Sequence, residues 1–180
     1  MVVFGVIWSL LLAIAVAAQV ASSGVRSRRQ AGPLTNLLIA VPFVLVLGFF
    51  YLERWIGAGS GSEAARLAGA ALAASGLGLY VAAHVYLGRN WSIAAAIMEG
   101  QRLVTGGPYR HMRHPMYTAM MVVVIGSGLL VSDYLILASI VPVAAAYYVR
   151  ASYEERLLAT ELPGYRAYAV RTKMFIPGVF

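Results

Sequence analysis

Five long apolar blocks, separated by short polar segments, dominate this chain. Their lengths lie near the ~20 residues that a helix needs to cross ~30 Å of hydrocarbon. The blocks are continuous and do not alternate in polarity as the strands of a membrane barrel do, so the pattern predicts helices. The predicted spans are Val2–Ala21, Leu34–Leu52, Ala64–Leu87, Met116–Val131 and Tyr134–Val149.

Only Ser132 and Asp133 separate the last two blocks, which predicts a tight helical hairpin. Its first arm is short for a complete crossing, so the hairpin either crosses the membrane or re-enters from one side. A polar tail follows Arg150 and keeps a helical pattern to about Thr160. Pro42, near the middle of the second predicted span, predicts a kink because proline lacks the backbone N–H.

The composition excludes an ordinary soluble domain, because 61% of the residues are hydrophobic and only 12% are charged. We therefore predict an all-α, polytopic membrane protein that forms a single membrane-embedded domain over residues 1–180. Residues 1–88 hold three N-terminal spans. Residues 89–180 hold the hairpin, cytosolic loops and a C-terminal tail, and form the half that carries the candidate chemistry.

The basic residues are distributed unevenly among the predicted loops. With five crossings, 12 of the 14 lysines and arginines fall on one face, and only Arg54 and Arg66 fall on the other. The positive-inside rule places the basic face in the cytoplasm, with the N-terminus outside and the C-terminus inside. The net charge of +7 then suits contact between the basic loops and anionic lipid headgroups. We therefore expect the bilayer, not nucleic acid, as partner.

Polar groups that could do chemistry are concentrated in the segment Gly106–Tyr117, directly before the hairpin. Pro115 favours the first turn of a helix, so Arg113 and His114 should lie at a helix N-terminus. Free N–H groups there suit an anion such as a ligand carboxylate, although a basic cap that reaches the headgroups has the same pattern. The chain has no cysteine and its three histidines lack metal-ligand spacing, so we expect no metal.

Two further patterns leave both a structural and a functional interpretation open. Glu154 and Glu155 follow the hairpin, and Arg150 lies four residues before Glu154, as in an ordinary helical ion pair. One carboxylate could instead turn inward to hold a ligand. Gly76, Tyr80 and His84 share one face of the third span, which fits close helix packing or a groove for substrate.

The C-terminal half resembles a known enzyme group. Leu103–Arg110, Arg113-His114-Pro115-Met116-Tyr117, Glu154-Glu155, Gly164–Tyr168 and Ile176-Pro177 occur in the order and with the usual gaps of one superfamily. This superfamily comprises the isoprenylcysteine carboxyl methyltransferases and the phospholipid methyltransferases, which are integral membrane enzymes. The chain departs from the pattern at Leu162-Pro163-Gly164, where a phenylalanine-glycine pair is usual.

The resemblance implies S-adenosylmethionine as cofactor and S-adenosylhomocysteine as product. It places the adenosine end of the cofactor against the stretch that holds Leu103, Val104, Gly107 and Tyr109. It implies that the methionine side is shaped by His114, Pro115 and Tyr117. It assigns the ammonium or ribose to Glu154 or Glu155, and makes Arg113 and Glu155 the candidate catalytic residues, with Arg113 steering the acceptor.

The expected reaction is methyl transfer at the cytosolic membrane face to a lipophilic or membrane-partitioned acceptor, whether a carboxylate, an amine or a thiol. We expect this acceptor to contact Gly76, Tyr80, His84 and Arg113, and to arrive laterally between the third span and the hairpin. Two alternatives remain, an NADPH-dependent membrane reductase of the sterol-reductase type and a non-enzymatic membrane scaffold or sensor.

Overall fold

The computed structural model describes residues 2–22, 27–30, 37–56, 62–92 and 96–179, and most of them are helical. We number seven α-helices and two strands in chain order. The helices are α1 (Val2–Ser22), α2 (Val41–Ile56), α3 (Glu63–Leu87), α4 (Pro115–Val131), α5 (Tyr134–Ala138), α6 (Ile140–Glu161) and α7 (Tyr165–Arg171). The strands are β1 (Ser27–Gln30) and β2 (Ala96–Met98), and single 3-10 turns cover Leu38–Ala40, Gly88–Asn90 and Gly107–Arg110.

Two helical segments of the described chain are long and apolar enough to cross a membrane, Glu63–Leu87 and Tyr134–Glu161. Three shorter apolar segments lie in α1, α2 and α4. Each predicted apolar block is thus helical wherever it is described, as its composition requires. The count of five crossings and the orientation of the termini stay predictions.

Small residues bring α3 and α4 into backbone contact. Gly69 and Gly76 of α3 face Gly126 and Ala119 of α4 so closely that a side chain has no room. A Cβ atom at Gly126 would lie 2.8 Å from the Gly69 carbonyl oxygen, and one at Gly76 would lie 2.9 Å from the Ala119 oxygen. In apolar surroundings this close approach gains van der Waals contact. The pair forms the rigid wall on which the C-terminal half is built.

Gly126→Ala should destabilise the protein because its methyl group must push the two helix backbones apart. Overpacking of this kind costs about 1–3 kcal/mol. We expect a lower midpoint of thermal unfolding in detergent. Gly78→Ala is the control, since a Cβ at Gly78 meets nothing within 4 Å. Equal midpoints for the two variants would contradict the close approach of the helices.

The hairpin between α4 and α6 turns at the two residues that the sequence indicates. Ser132 ends α4 in the left-handed conformation, with φ of 57°. Asp133 then caps α5, its Oδ1 accepting a hydrogen bond of 2.7 Å from the Ile136 N–H. Ser139 separates α5 from α6, which runs on to Glu161 without a break. Most of the apolar arm and the first part of the polar tail, up to Glu161, therefore belong to one helix, α6.

The two-stranded ribbon is a feature that the all-helical prediction lacked. β1 pairs antiparallel with β2, with Gln30 opposite Ala96. The four residues of β1 are polar and carry no alternating apolar pattern, so they give no sequence signal for a strand. The pairing sets the first loop beside the long connection, as expected if both lie on the same membrane face.

Helices α1 and α2 are joined to each other and to the rest of the fold by aromatic contacts. Phe4 stacks on Phe50 with ring centroids 4.3 Å apart, and Trp8 meets Phe43 edge-on at 5.3 Å. The Trp8 indole N–H donates a buried hydrogen bond of 3.1 Å to the Ser127 hydroxyl of α4. Pro42 lies in the first turn of α2, directly after the 3-10 turn Leu38–Ala40, so the helix changes type beside the proline. The kink predicted at Pro42 stays a prediction.

Candidate active site

A cavity of about 540 Å³ lies between the N-terminal helices and the C-terminal half. This volume is in the range of ordinary small-molecule sites. Its apolar wall is formed by Leu12, Ala15, Ile39, Ala40, Phe43 and Leu47. Its polar and aromatic wall includes Tyr80, Trp91, Tyr109, Arg113, His114, Tyr117, Tyr147, Arg150, Glu154, Tyr165 and Tyr168. The cavity therefore has one face suited to hydrocarbon and one face suited to a polar ligand.

The Arg113-His114 pair is held in place through its backbone by the C-terminal tail. α4 begins at Pro115, as predicted, with His114 as the preceding cap residue. The Arg113 N–H donates to the Lys173 oxygen at 2.8 Å, and the His114 N–H donates to the Met174 oxygen at 3.0 Å. The tail thus runs beside the start of α4 and fixes the direction in which both side chains point.

The Arg113 guanidinium joins three parts of the chain. Its Nε donates to Glu155 Oε1 at 2.6 Å, and its Nη1 donates to the Ala169 oxygen at 3.0 Å and to the Thr172 oxygen. Planar guanidinium groups suit several fixed acceptors at once. The side chain is only 12% exposed. In this geometry Arg113 ties α6 and the end of α7 to the start of α4, while it still contributes to the cavity wall.

His114 lies between the two carboxylates. Its Nε2 is 3.3 Å from Glu155 Oε1, and its Nδ1 is 3.7 Å from Glu154 Oε2. Its ring is stacked against that of Tyr117 at 5.5 Å between centroids, with an interplanar angle of 13°. The imidazole is buried. His114 thus contacts both Glu154 and Glu155, and these contacts together with the Tyr117 ring fix the orientation of the imidazole.

A second ion-paired group forms the deep part of the polar wall. Arg150 is 1% exposed, and its Nε donates to the Tyr117 hydroxyl at 2.7 Å. That hydroxyl donates in turn to Glu154 Oε1 at 2.6 Å, and Arg150 Nε is itself 3.2 Å from this oxygen. Tyr117 also stacks on Tyr147 at 4.7 Å. Glu154 is therefore held against the cavity by two donors, one of them charged.

Three tyrosines outside the long helices provide neutral hydroxyl groups. Burial, and next the Glu154 carboxylate, raise the pKa of Tyr109, and burial raises the pKa values of Tyr165 and Tyr168. The Tyr168 hydroxyl donates to the Tyr109 carbonyl oxygen at 2.6 Å. The Tyr165 hydroxyl is buried and has no partner among the described residues. It is a donor available to a polar ligand.

The structure brings most of the sequence-predicted site residues to this cavity. On its wall are Leu103, Val104, Tyr109, Arg113, His114, Tyr117, Glu154 and Tyr80. Glu155 and Pro115 lie behind this wall, where Glu155 binds Arg113 and His114 and Pro115 starts α4. Gly107, which is expected beside the adenosine end of the cofactor, is not on this wall. Its backbone is in the left-handed region, with φ of 55°, and a Cβ there would lie 2.6 Å from Tyr86 Cζ.

Two residues predicted to contact substrate are placed elsewhere. Gly76 packs against α4 and is absent from the cavity wall, which favours the packing interpretation of this glycine. His84 also lies off the wall, with its ring 5.1 Å from that of Trp91. The close packing of α3 on α4 leaves no passage along Gly69–Gly76, so the expected lateral route between α3 and the hairpin is closed over this stretch.

Sequence reasoning missed two contributions to the site. The spacing of Arg150 and Glu154 predicts an ordinary helical pair, yet an arginine inside an apolar helix is a functional candidate by default. That signal was present in the sequence. The wall formed by α1 and α2 had no sequence signal, because apolar residues on a membrane helix look alike whether they face lipid or a cavity.

Comparison with known proteins agrees with the motifs that converge here. Residues 64–162, more than half of the chain, match the phospholipid methyltransferase family. The chain belongs to this family. The family is part of the isoprenylcysteine carboxyl methyltransferase-like group of membrane methyltransferases, so the resemblance seen in the sequence is confirmed.

Two curated bacterial proteins are also similar to this phospholipid methyltransferase family member. The cobalt-zinc-cadmium resistance protein CzcN of Cupriavidus metallidurans is 30% identical over 143 residues, which cover 77% of this chain and 61% of that protein. The nickel-cobalt-cadmium resistance protein NccN of Alcaligenes xylosoxydans xylosoxydans is 35% identical over 96 residues, 51% of this chain and 44% of that protein. The chain spans about three fifths of the first relative and less than half of the second.

The names of both relatives mention metals. Within the described ranges, no group of three or more histidines, aspartates or glutamates is arranged to hold a metal ion. The expectation that this protein binds no metal stays a prediction.

Proposed function

We propose that this protein is an S-adenosylmethionine-dependent methyltransferase that acts on a lipophilic, membrane-partitioned acceptor in the cavity described above. The observation that carries the proposal is the convergence of the family motifs. Residues that are far apart in sequence, from Leu103 to Tyr168, meet on one wall, while the opposite wall is apolar.

The residues present fit the cofactor. S-adenosylmethionine carries an ammonium, a carboxylate, a ribose and an adenine, so it needs an anion, cations, hydroxyl donors and aromatic faces. The wall offers the Glu154 carboxylate, the basic groups of Arg113 and His114, and several tyrosine rings. The buried, unpaired Tyr165 hydroxyl is a further donor that a ligand would satisfy.

Methyl transfer requires the protein to align the acceptor with the methyl group and to exclude water, and little else. When bound, S-adenosylmethionine supplies a methyl group that an acceptor lone pair takes as the carbon–sulfur bond breaks, with its electrons left on the sulfur of S-adenosylhomocysteine. The aromatic wall excludes water, and the ion-paired side chains hold a fixed geometry. An amine or thiol acceptor also releases a proton, and the Glu154 carboxylate would accept it. The oxygen assigned to this role is Oε2, which lies 3.7 Å from His114 Nδ1. A carboxylate acceptor has no proton to release.

Cofactor binding is the direct test. Isothermal titration of the purified protein in detergent should show saturable binding of S-adenosylmethionine and S-adenosylhomocysteine, and no binding of NADPH. Binding of NADPH alone would favour the reductase alternative. Binding of none of the three, by a protein shown to be folded, would favour the scaffold or sensor.

The cytosolic location of the site belongs to the same proposal. It is supported by the 12 of 14 basic residues predicted on that face and by the pairing of β1 with β2. Labelling of single introduced cysteines tests it without background, since the chain has none of its own. A membrane-impermeant thiol reagent added to intact cells should label cysteine at Ser62 and not at Arg166.

A further inference from the structure

Another pocket, of about 470 Å³, lies beside the turn Gly107–Arg110. It is lined by Leu79 of α3, by Gly107-Pro108 and Arg110–Met112 of the polar segment, and by Pro177 of the tail. None of these residues lines the cavity of the candidate active site, to which the same turn contributes Tyr109. The turn thus separates two pockets. We call the pocket lined by Leu79, Arg110 and Pro177 the outer groove.

The outer groove has basic groups and no carboxylate on its lining. Arg110 and His111 are both exposed, and neither side chain has a hydrogen bond or an ion pair with any residue that the structure describes. On the cavity wall, by contrast, Arg113 and Arg150 are each paired with a carboxylate. A guanidinium presents a planar fork of N–H donors, and an imidazole adds another. The rim of the outer groove is therefore suited to an anion from outside the protein.

The floor of the outer groove is apolar. Met112 is buried and Leu79 is half-buried, whereas the basic side chains on the rim are exposed. Leu79 lies roughly two turns before the end of α3 at Leu87. This helix is one of the described segments that are long and apolar enough to cross a membrane. The groove therefore runs from exposed basic groups to a level at which the surrounding medium in a membrane is hydrocarbon.

Beyond Leu79, the same side of α3 continues as a track of small side chains. Ala82, Ser75 and Ala71 share this side at spacings of three and four residues. The Ser75 hydroxyl donates to the Ala71 carbonyl oxygen at 2.8 Å, so its polar group is satisfied within the helix. A Cβ atom at the neighbouring Gly78 would meet nothing within 4 Å. This surface offers van der Waals contact to a hydrocarbon chain and little to a water-soluble ligand.

We infer that the outer groove binds an anionic phospholipid, with the phosphate beside Arg110 and His111 and an acyl chain along α3 from Leu79. Charge complementarity selects the headgroup, because a zwitterionic lipid would bring its own cation to the basic rim. A free phosphate would use the rim and leave the apolar floor unused. The lipid is a ligand of the outer surface and not the methyl acceptor, since the groove and the cavity share no lining residue. The inference therefore goes beyond the proposed function and does not depend on it.

Two lipids with the same acyl chains test the choice of headgroup. The probes are dioleoyl phosphatidylglycerol, which is anionic, and dioleoyl phosphatidylcholine, which is zwitterionic. Native mass spectrometry of the full chain in detergent measures the affinity of each. We expect phosphatidylglycerol to bind about tenfold more tightly, as charged hydrogen bonds to its phosphate predict. Equal affinities would overturn the inference.

Matched variants test the location of the lipid. Arg110→Glu should lower the affinity for phosphatidylglycerol by about tenfold or more, because it replaces attraction by repulsion at the rim. Arg166→Glu is the control, since Arg166 is exposed, lies off the groove and gives the same change in net charge. Arg110→Lys should keep most of the affinity because it keeps the positive charge. Equal losses in the two glutamate variants would mean that net charge alone attracts the lipid, which would overturn the groove as its site.

A second variant and a soluble competitor complete the test. His111→Gln should lower the affinity by about threefold, the effect of losing one hydrogen bond, and it keeps the test open should Arg110→Glu fail to fold. Glycerol phosphate carries the anionic group without acyl chains. At a concentration equal to that of the lipid, it should displace none of the bound phosphatidylglycerol. Displacement under these conditions would show that the apolar floor contributes nothing, and a free anion would replace the lipid as occupant.

Discussion

Arg150→Met is expected to be strongly destabilising and to weaken cofactor binding. The substitution removes the charged donor to Tyr117 and the partner of Glu154, both inside the protein. Breaking a fully buried ion pair costs about 3–5 kcal/mol. Because the Glu154 side chain is 22% exposed, we expect about 2–4 kcal/mol here, measured as a lower urea or thermal midpoint in detergent.

A matched arginine on the same helix gives the control. Arg156 is exposed and lies over the ring of Tyr153 at 5.0 Å, so Arg156→Met should change stability by less than about 1 kcal/mol. Adding Glu154→Gln to Arg150→Met should recover part of the lost stability, because it removes the uncompensated carboxylate. Equal stability of the two single variants would show that the buried group around Arg150 does not support the fold.

Arg113→Lys is expected to weaken binding of S-adenosylhomocysteine by about 10- to 100-fold, the equivalent of losing one charged hydrogen bond of about 1.5–3 kcal/mol. A lysine ammonium keeps the charge but cannot reach Glu155 and two tail carbonyls from one planar group. Since Tyr165 and Tyr168 line the cavity, loosening the tail changes the site itself. Isothermal titration measures the affinity, and the rate of tryptic cleavage at Arg166 and Arg171 reports the docking of α7.

Arg110→Lys is the control for this experiment, because Arg110 belongs to the same polar segment and its side chain is exposed. It should keep both the affinity and the cleavage rate. If Arg113→Lys keeps both and only raises the acceptor KM, then Arg113 acts on the acceptor, as the resemblance implies. If all three measurements stay at their wild-type values, the role of Arg113 in the site is excluded.

Much of the site could be predicted because its residues are unusual for their surroundings. Charged groups are scarce in this chain, at 12% of the residues, and most of those next to Pro115 and the hairpin meet on one wall. Gly76 shows the opposite case, since a glycine in an apolar helix has the same sequence pattern whether it faces a ligand or another backbone. Only the close approach of Gly76 to the Ala119 backbone shows that this glycine faces another helix.

The positions of helices, their order and the turn at Ser132-Asp133 were determined by the sequence itself. Apolar length, a proline at a helix start and a polar capping residue act over a few neighbouring positions, so local chemistry is sufficient. Tertiary structure alone decided the rest. Which faces of the helices meet, why Arg150 is buried beside Tyr117, how β1 joins β2, and which apolar residues line a cavity instead of facing lipid all depend on contacts between distant segments. An apolar side chain is equally suited to lipid and to an apolar cavity, so the composition of the sequence does not show which of the two it contacts.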